Sequence, residues 1–238
     1  MDIDLNVLLQ SSQIILRKND MIANNLANIN TAGFKRDDGF YNELENDFIL
    51  DEDIPFNQYT DHIQGDLKST EIPTDLAISG KGFFTLESDD GNLYTRNGHF
   101  IITKDGILED SFGNRLLGTS GTIEVTGQNG TIGDLRITEK GEVVVDGEII
   151  NKLVISNFEN MQDLEKIGNN LFKASENSQG ETIETENIVQ GFLETSNINP
   201  VSEMVNLIDM HRRFEATQRV IRTIDELADD AINDVGGV

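Results

Sequence analysis

Histidine is the side chain best suited to move protons or bind metals near neutral pH, and this chain has three, His62, His99 and His211, far apart from one another. A metal site needs several converging ligands, and the chain has no cysteine to supply thiolates. The three read as surface or packing residues. Serine and aspartate are plentiful, yet no Gly-x-Ser-x-Gly elbow holds a nucleophile. "SGKGFF" at 79–84 has the glycines and lysine of a phosphate loop, but no Ser or Thr follows the lysine, and a strand-like run takes the place of the required helix. "ESDDGN" at 87–92 has the acidic start of a calcium loop without its ligand ladder and closing Glu. Both read as turns. No catalytic, cofactor-binding or metal site is expected, and the chain is not read as an enzyme.

The denser polar chemistry is amide chemistry. Asn24, Asn25, Asn28 and Asn30 crowd "MIANNLANINTAGFK", residues 21–35, through which an apolar stripe also runs. Asparagine is a poor interior helix former because its amide competes for the backbone. Facing water is one reading; however, solvent-facing positions select better helix formers such as Glu or Lys. Groups that both donate and accept suit a surface packed against other backbone, which is the reading favoured here.

The elements that carry these residues follow from periodicity. Leu8, Ile15, Ile22 and Ile29 fall seven apart, with Leu5, Ser12, Asn19 and Leu26 offset by three. That spacing predicts an amphipathic helix over about 4–30 with a narrow coiled-coil seam. Gly33 is available for the left-handed turn beyond it. At the other end, Leu207, Met210, Phe214, Thr217, Ile221, Ile224, Ala228 and Ala231 alternate at threes and fours, predicting a helix over about 200–232 with Asn199 as cap and Pro200 in the first turn. Between them the period changes to two. "GFFTLES", "HFIITKDG", "EVVVDG" and "LVISNF" read as strands, and Asp90-Gly91, Asn97-Gly98, Asp105-Gly106 and Asp146-Gly147 read as hairpin turns.

The expected fold is therefore mainly β with α: an antiparallel β domain at 72–185, flanked by N- and C-terminal coiled-coil helices. An N-terminal segment covers 1–36, an acidic extended connector 37–71, and a second connector with the C-terminal helix 186–238. Charge sharpens this division. The chain has 18 basic and 43 acidic side chains, a net −25; residues 1–36 have four basic and three acidic, 200–238 four and eight, leaving the middle at 10 against 32. Such a balance opposes nucleic-acid backbones and anionic lipid surfaces. No run is long and apolar enough to insert in a membrane, and no cleaved secretory signal opens the chain, so a soluble protein is expected. The near-neutral ends can pack against copies of themselves while the acidic middle faces solvent.

Three motifs in order resemble one known family. "NNLANINTAGFKR" (24–36), "DLAISGKGFFTLESDDGNLYTRNGHFIITKDGILEDSFGNRLLG" (75–118) and "GFLETSNINPVSEMVNLIDMHRRFEATQRVIRTIDE" (191–226) are similar to the signature, central and C-terminal segments of the bacterial flagellar rod and hook proteins. Within that family "SNINPV" and "RRFE" look more like the proximal-rod type, whereas "ETSN" and "MVNLI" are shared with or closer to the distal-rod type. The resemblance implies a structural subunit of the basal-body rod in the periplasmic space. It implies export through the flagellar type III apparatus without signal cleavage, and helical polymerisation with copies of itself and other rod proteins. Its terminal helices would form an inner coiled-coil layer. On this reading Leu8, Ile15, Ile22, Asn24, Asn25, Leu26, Asn28, Ile29 and Phe34 contact neighbouring subunits or the inner layer, and Leu207, Met210, Phe214, Ile221 and Ile224 form the facing seam. The rival from another class is a secreted β-rich binding module, with carbohydrate as the example ligand, oligomerised by its helical ends. It lacks an aromatic platform, with no Trp and three Tyr.

Overall fold

A computed structural model describes residues 5–41, 56–89, 91–127, 130–175, 178, 180–183 and 187–236. The centre of the acidic stretch, Asp90, and the side chains of Leu5, Ala228 and Ala231 lie outside the described residues. The chain forms two compact units, one from residues 1–27, 37–61 and 198–238 and the other from 28–36 and 62–197.

The first unit is built on helix α1, Leu5–Ala27, and helix α2, Pro200–Gly236, which pack against each other. Asn199 caps α2 as its type predicts, its Oδ1 accepting from the amides of Val201 (3.0 Å) and Ser202 (3.1 Å). Helix α1 stops three residues short of the periodic expectation. Thr31 donates its amide to the Asn28 carbonyl at 3.1 Å and its hydroxyl to Asn28 Oδ1 at 3.2 Å, turning the chain and leaving Ile29 past the helix end. Neither helix is long and apolar enough to cross a membrane. At the described ends of the acidic stretch, Asp37–Tyr41 and Phe56–Thr60 pair as antiparallel strands, with Phe40 and Tyr59 in ring contact at 6.1 Å.

The second unit is antiparallel throughout its described pairings. Its main sheet runs, in spatial order, through strands 164–168, 171–174, 91–95, 83–88, 115–118, 108–109 and 101–102. Strand 155–157 joins it beside 83–88, and a separate meander of 135–137, 142–145 and 148–152 adds a second layer of pairing. Strand Phe83–Ser88 shows how the core is divided. Phe84 and Leu86 enter one large aliphatic cluster with Phe100, Leu116 and Ile155, whereas Phe83 joins Tyr94, Phe158, Leu164 and Phe172 in a smaller aromatic one. Alternation of side chains thus buries both faces of one strand.

The unit also extends past the expected boundaries of 72–185. Strands 67–69 and 192–194 pair, as do 76–78 and 188–190; these runs were too short to show a period in sequence. Asp105-Gly106 and Asp146-Gly147 do turn between paired strands. Asn97-Gly98 does not. Gly98 lies against Leu76, where an added Cβ would fall 1.6 Å from the Leu76 carbonyl oxygen, and its own carbonyl accepts from the Leu76 amide at 2.9 Å. That glycine is needed for close backbone approach, not for a hairpin.

Candidate assembly site

Within the first unit the asparagine question has a local answer. Asn25 is 1% exposed, donating from Nδ2 to the Asp37 carbonyl at 2.8 Å and accepting at Oδ1 from the Asp37 amide at 3.0 Å. Both backbone groups of a strand residue point to the same side, so one primary amide meets them as a neighbouring strand would. Aspartate could not donate, and alanine would leave two buried backbone groups without partners. Asp37 itself pairs with Thr60, whose hydroxyl donates to Asp37 Oδ1 at 2.9 Å. Asn25 thereby has its amide donor and acceptor engaged inside the subunit. Asn24, one position on, is exposed.

The rest of the expected α1 seam lies on the covered side of the helix. Ile22 is buried, and Leu8, Ile15 and Leu26 are half-buried, as are Asn28 and Ile29 in the turn beyond. On α2 the described positions Leu207, Met210, Phe214, Ile221 and Ile224 are half-buried in the same way. These residues share one face of α2, and α2 packs against α1. At 100° per residue the opposite face of α2 is apolar over its first turns, where Val201, Met204, Val205 and Ile208 are all exposed, Val201 by 69%. Further along, Arg212, Glu215 and Arg219 take the same direction, with exposed Val220 and Leu227 at its edge. Helix α1 adds exposed Leu9 and Leu16. The spacing of Val201, Val205 and Ile208 at four and three is the sequence signal for this patch.

Within the second unit the signature loop 28–36 is docked rather than displayed. Gly33 has φ 67°, donates to the Glu194 carbonyl at 2.8 Å, and leaves no room for a Cβ, which would come within 2.4 Å of the Arg96–Asn97 backbone. Phe34 is 3% exposed under the Lys166 ammonium, 4.0 Å from its ring centroid. Its ring is thus packed inside the subunit. Lys166 Nζ donates to the Lys35 carbonyl at 3.0 Å, and Asn170 Nδ2 to the Ala32 carbonyl at 3.1 Å.

The loop's most buried polar feature has no counterpart among the expected site residues. Lys35 Nζ lies 2.5 Å from Glu194 Oε1, and Arg96 Nη1 3.2 Å from Glu194 Oε2, with all three side chains buried. Burial pulls the Arg96 guanidinium below its ordinary range, opposed by its attraction to Glu194. Two cations face one carboxylate. The surplus charge is taken up by the carbonyls of Ile63 (2.7 Å from Lys35), Gly80 (2.6 Å from Arg96) and Ile78 (3.4 Å), and by the Phe83 ring at 5.4 Å.

The histidines remain dispersed. His62 stacks between Phe83 and Phe172, His99 Nδ1 sits 2.7 Å from Asp75 Oδ1, and His211 is exposed on α2. Among the described residues no three His, Cys, Asp or Glu side chains gather as metal ligands would.

Residues 16–35 match the family described as flagella basal body rod protein, 77–145 the flagellar hook protein FlgE/F/G D1 domain, and 189–234 the flagellar basal body rod FlgEFG protein C-terminal family. A relative in Buchnera aphidicola subsp. Baizongia pistaciae, flagellar basal-body rod protein FlgG, is 32% identical over 87% of this chain and 90% of its own length. The chain belongs to the flagellar basal-body rod protein family. The rod protein FlgF of Caulobacter vibrioides is 29% identical with all of both chains aligned, and FlgF of Mesorhizobium japonicum is 28% identical over 98% of this chain and 97% of the relative. The chain is thus a structural subunit of the flagellar basal-body rod. Two of the three matched segments coincide with structural features described above. The first covers the end of α1 with the docked loop, and the last covers strand 192–194 with nearly all of α2.

Proposed function

We propose that the chain is a proximal-rod subunit of the FlgF type, and that it polymerises through the uncovered apolar face of α2. The observation that carries the assembly mode is the pair of opposed stripes on that helix. One is half-buried along the helix; the other is a patch of exposed Val201, Met204, Val205 and Ile208 at its start. A second copy or another rod protein is the partner that fits, because the helical ends are near neutral and the acidic body repels itself. Burial returns roughly 25 cal/mol for each Å² of apolar surface, summed over many subunits. The seam of Leu8, Ile15, Ile22 and Leu26 against Leu207, Met210, Phe214, Ile221 and Ile224 then holds α1 to α2 as a coiled coil within the inner layer, with the exposed Asn24 amide beside the packing surface.

The proximal position is supported by length: the FlgF relatives align essentially end to end, whereas FlgG relatives align over about nine-tenths. The slightly higher identity to FlgG favours a distal position as the second reading. Delivery through the flagellar type III export apparatus to the periplasmic rod belongs to the same reading.

Epitope-tagged chain followed into basal bodies purified from cells lacking the distal rod protein separates the positions. Incorporation at wild-type levels is expected; absence from those particles would assign the chain to the distal rod. In the same cells an Ile208→Asp subunit should be exported yet not incorporated. Normal incorporation of that variant would refute the proposed packing face.

A further inference from the structure

The chain passes between its two units at residues 27/28, 36/37, 61/62 and 197/198. Within the β unit, the loop between the first two passages and the segments beside the other two reach the same short stretch around Glu194. The Lys35 ammonium binds Glu194 Oε1 and the Ile63 carbonyl. The Gly65 amide donates to Glu194 Oε1 at 3.0 Å, and the Gly33 amide to the Glu194 carbonyl at 2.8 Å. Asn197 Oδ1 accepts the Arg36 amide at 2.8 Å while its Nδ2 donates to the Ile63 carbonyl at 3.1 Å. Thr195 donates to the Asp66 carbonyl at 2.8 Å.

We infer that the Glu194 carboxylate is an interlock: one buried charge fastens the outgoing loop 28–36, the re-entering segment 62–66 and the returning segment 194–197 to each other and, through Arg96, to the sheet. The physical reason for a single hub is charge. Lys35 and Arg96 are both buried and both bind this carboxylate, so removing its charge leaves each cation without an ion-pair contact made in the interior, a change far costlier than the loss of a surface pair. Lys35 and Glu194 meet across 159 positions of chain. Lys35 and Arg96 are not equivalent arms. Arg96 ties the carboxylate to Ile78, Gly80 and Phe83 of the body, whereas Lys35 ties it to the loop and to Ile63. Loss of the hub should free all three segments together, and loss of the lysine arm should free the loop and 62–66 while Arg96 still holds 194. If the chain works as a rod subunit, such an interlock shares a load on the helical ends among several segments; the interlock itself does not depend on that reading.

Amide hydrogen exchange on the full-length chain, resolved by NMR, tests this. In Glu194→Gln the amides of Gly33, Gly65 and Thr195 should all exchange at least about a hundredfold faster, while those of strand 83–88 keep their wild-type rates. In Lys35→Met, which leaves a balanced Arg96–Glu194 pair, Gly33 and Gly65 should accelerate and Thr195 should not. Unchanged exchange at Gly33 and Gly65 in Glu194→Gln would overturn the interlock. Should Glu194→Gln unfold the sheet as well, Lys35→Met decides: selective acceleration upholds the inference, and acceleration of strand 83–88 to the same degree as Gly33 overturns it in favour of a general contribution to stability.

Discussion

The two units differ in how completely they enclose their own apolar surface. In the β unit, strand Phe83–Ser88 is packed on both faces, and Phe84, Leu86, Phe100 and Leu116 are shut off from solvent. In the helical unit, α2 is half-buried along one side and leaves Val201, Met204, Val205 and Ile208 exposed on the other, on a helix of about 55 Å. A body that closes its own core needs no partner to fold. A helix with exposed apolar residues on a second side has surface to offer a partner, as the proposed packing face requires. The comparison explains why a family of polymerising proteins keeps its matched motifs at the ends as well as in the body.

The same change made in the two units should break them differently. Ile208→Asp places a charge on the open stripe and should abolish polymerisation, read by sedimentation or electron microscopy, with the thermal midpoint of the β unit unchanged. Loss of β-unit folding in that variant would contradict the separation. Leu26→Asp, on the covered face of α1, should abolish assembly too, but with a loss of helix signal in circular dichroism that Ile208→Asp does not show. Phe84→Ala, which removes an edge-on ring partner of Phe100 at 5.5 Å, should cost about 3–5 kcal/mol in denaturant unfolding of the β unit. A smaller effect, about 1–3 kcal/mol, is expected from Asn25→Ala, because the Asp37 amide and carbonyl lose their buried partner; faster exchange at the Asp37 amide is the direct readout. Smallest is Asn199→Ala, about 1 kcal/mol of helix stability, measured as fraying of the first turn of α2.

Much of the architecture was legible because it is written locally. Heptad and three–four spacing announced both helices, Asn199-Pro200 marked the start of α2, and alternation with Asp-Gly turns marked the antiparallel sheet. Local signals also misled where tertiary contact overrode them. Asn97-Gly98 looked like a hairpin turn and is a contact point for Leu76, and the acidic stretch after residue 36 looked extended but contains a strand that Asn25 completes. Nor could spacing show that Asn25 bonds to Asp37 or that Phe34 lies beneath Lys166 within the same subunit.

By itself the sequence determined that the ends are amphipathic rods, that the middle is an acidic antiparallel β body, and that the whole belongs with rod and hook proteins, because each of these rests on spacing or motif along the chain. Only the tertiary structure decided which side of α2 is half-buried, that the Asn25 amide closes on the backbone of Asp37, and that Lys35, Arg96 and Glu194 share one buried charge network. Those outcomes depend on residues that meet across long separations in sequence. No local periodicity encodes such a meeting; it is set by which backbone segments the packed core brings together.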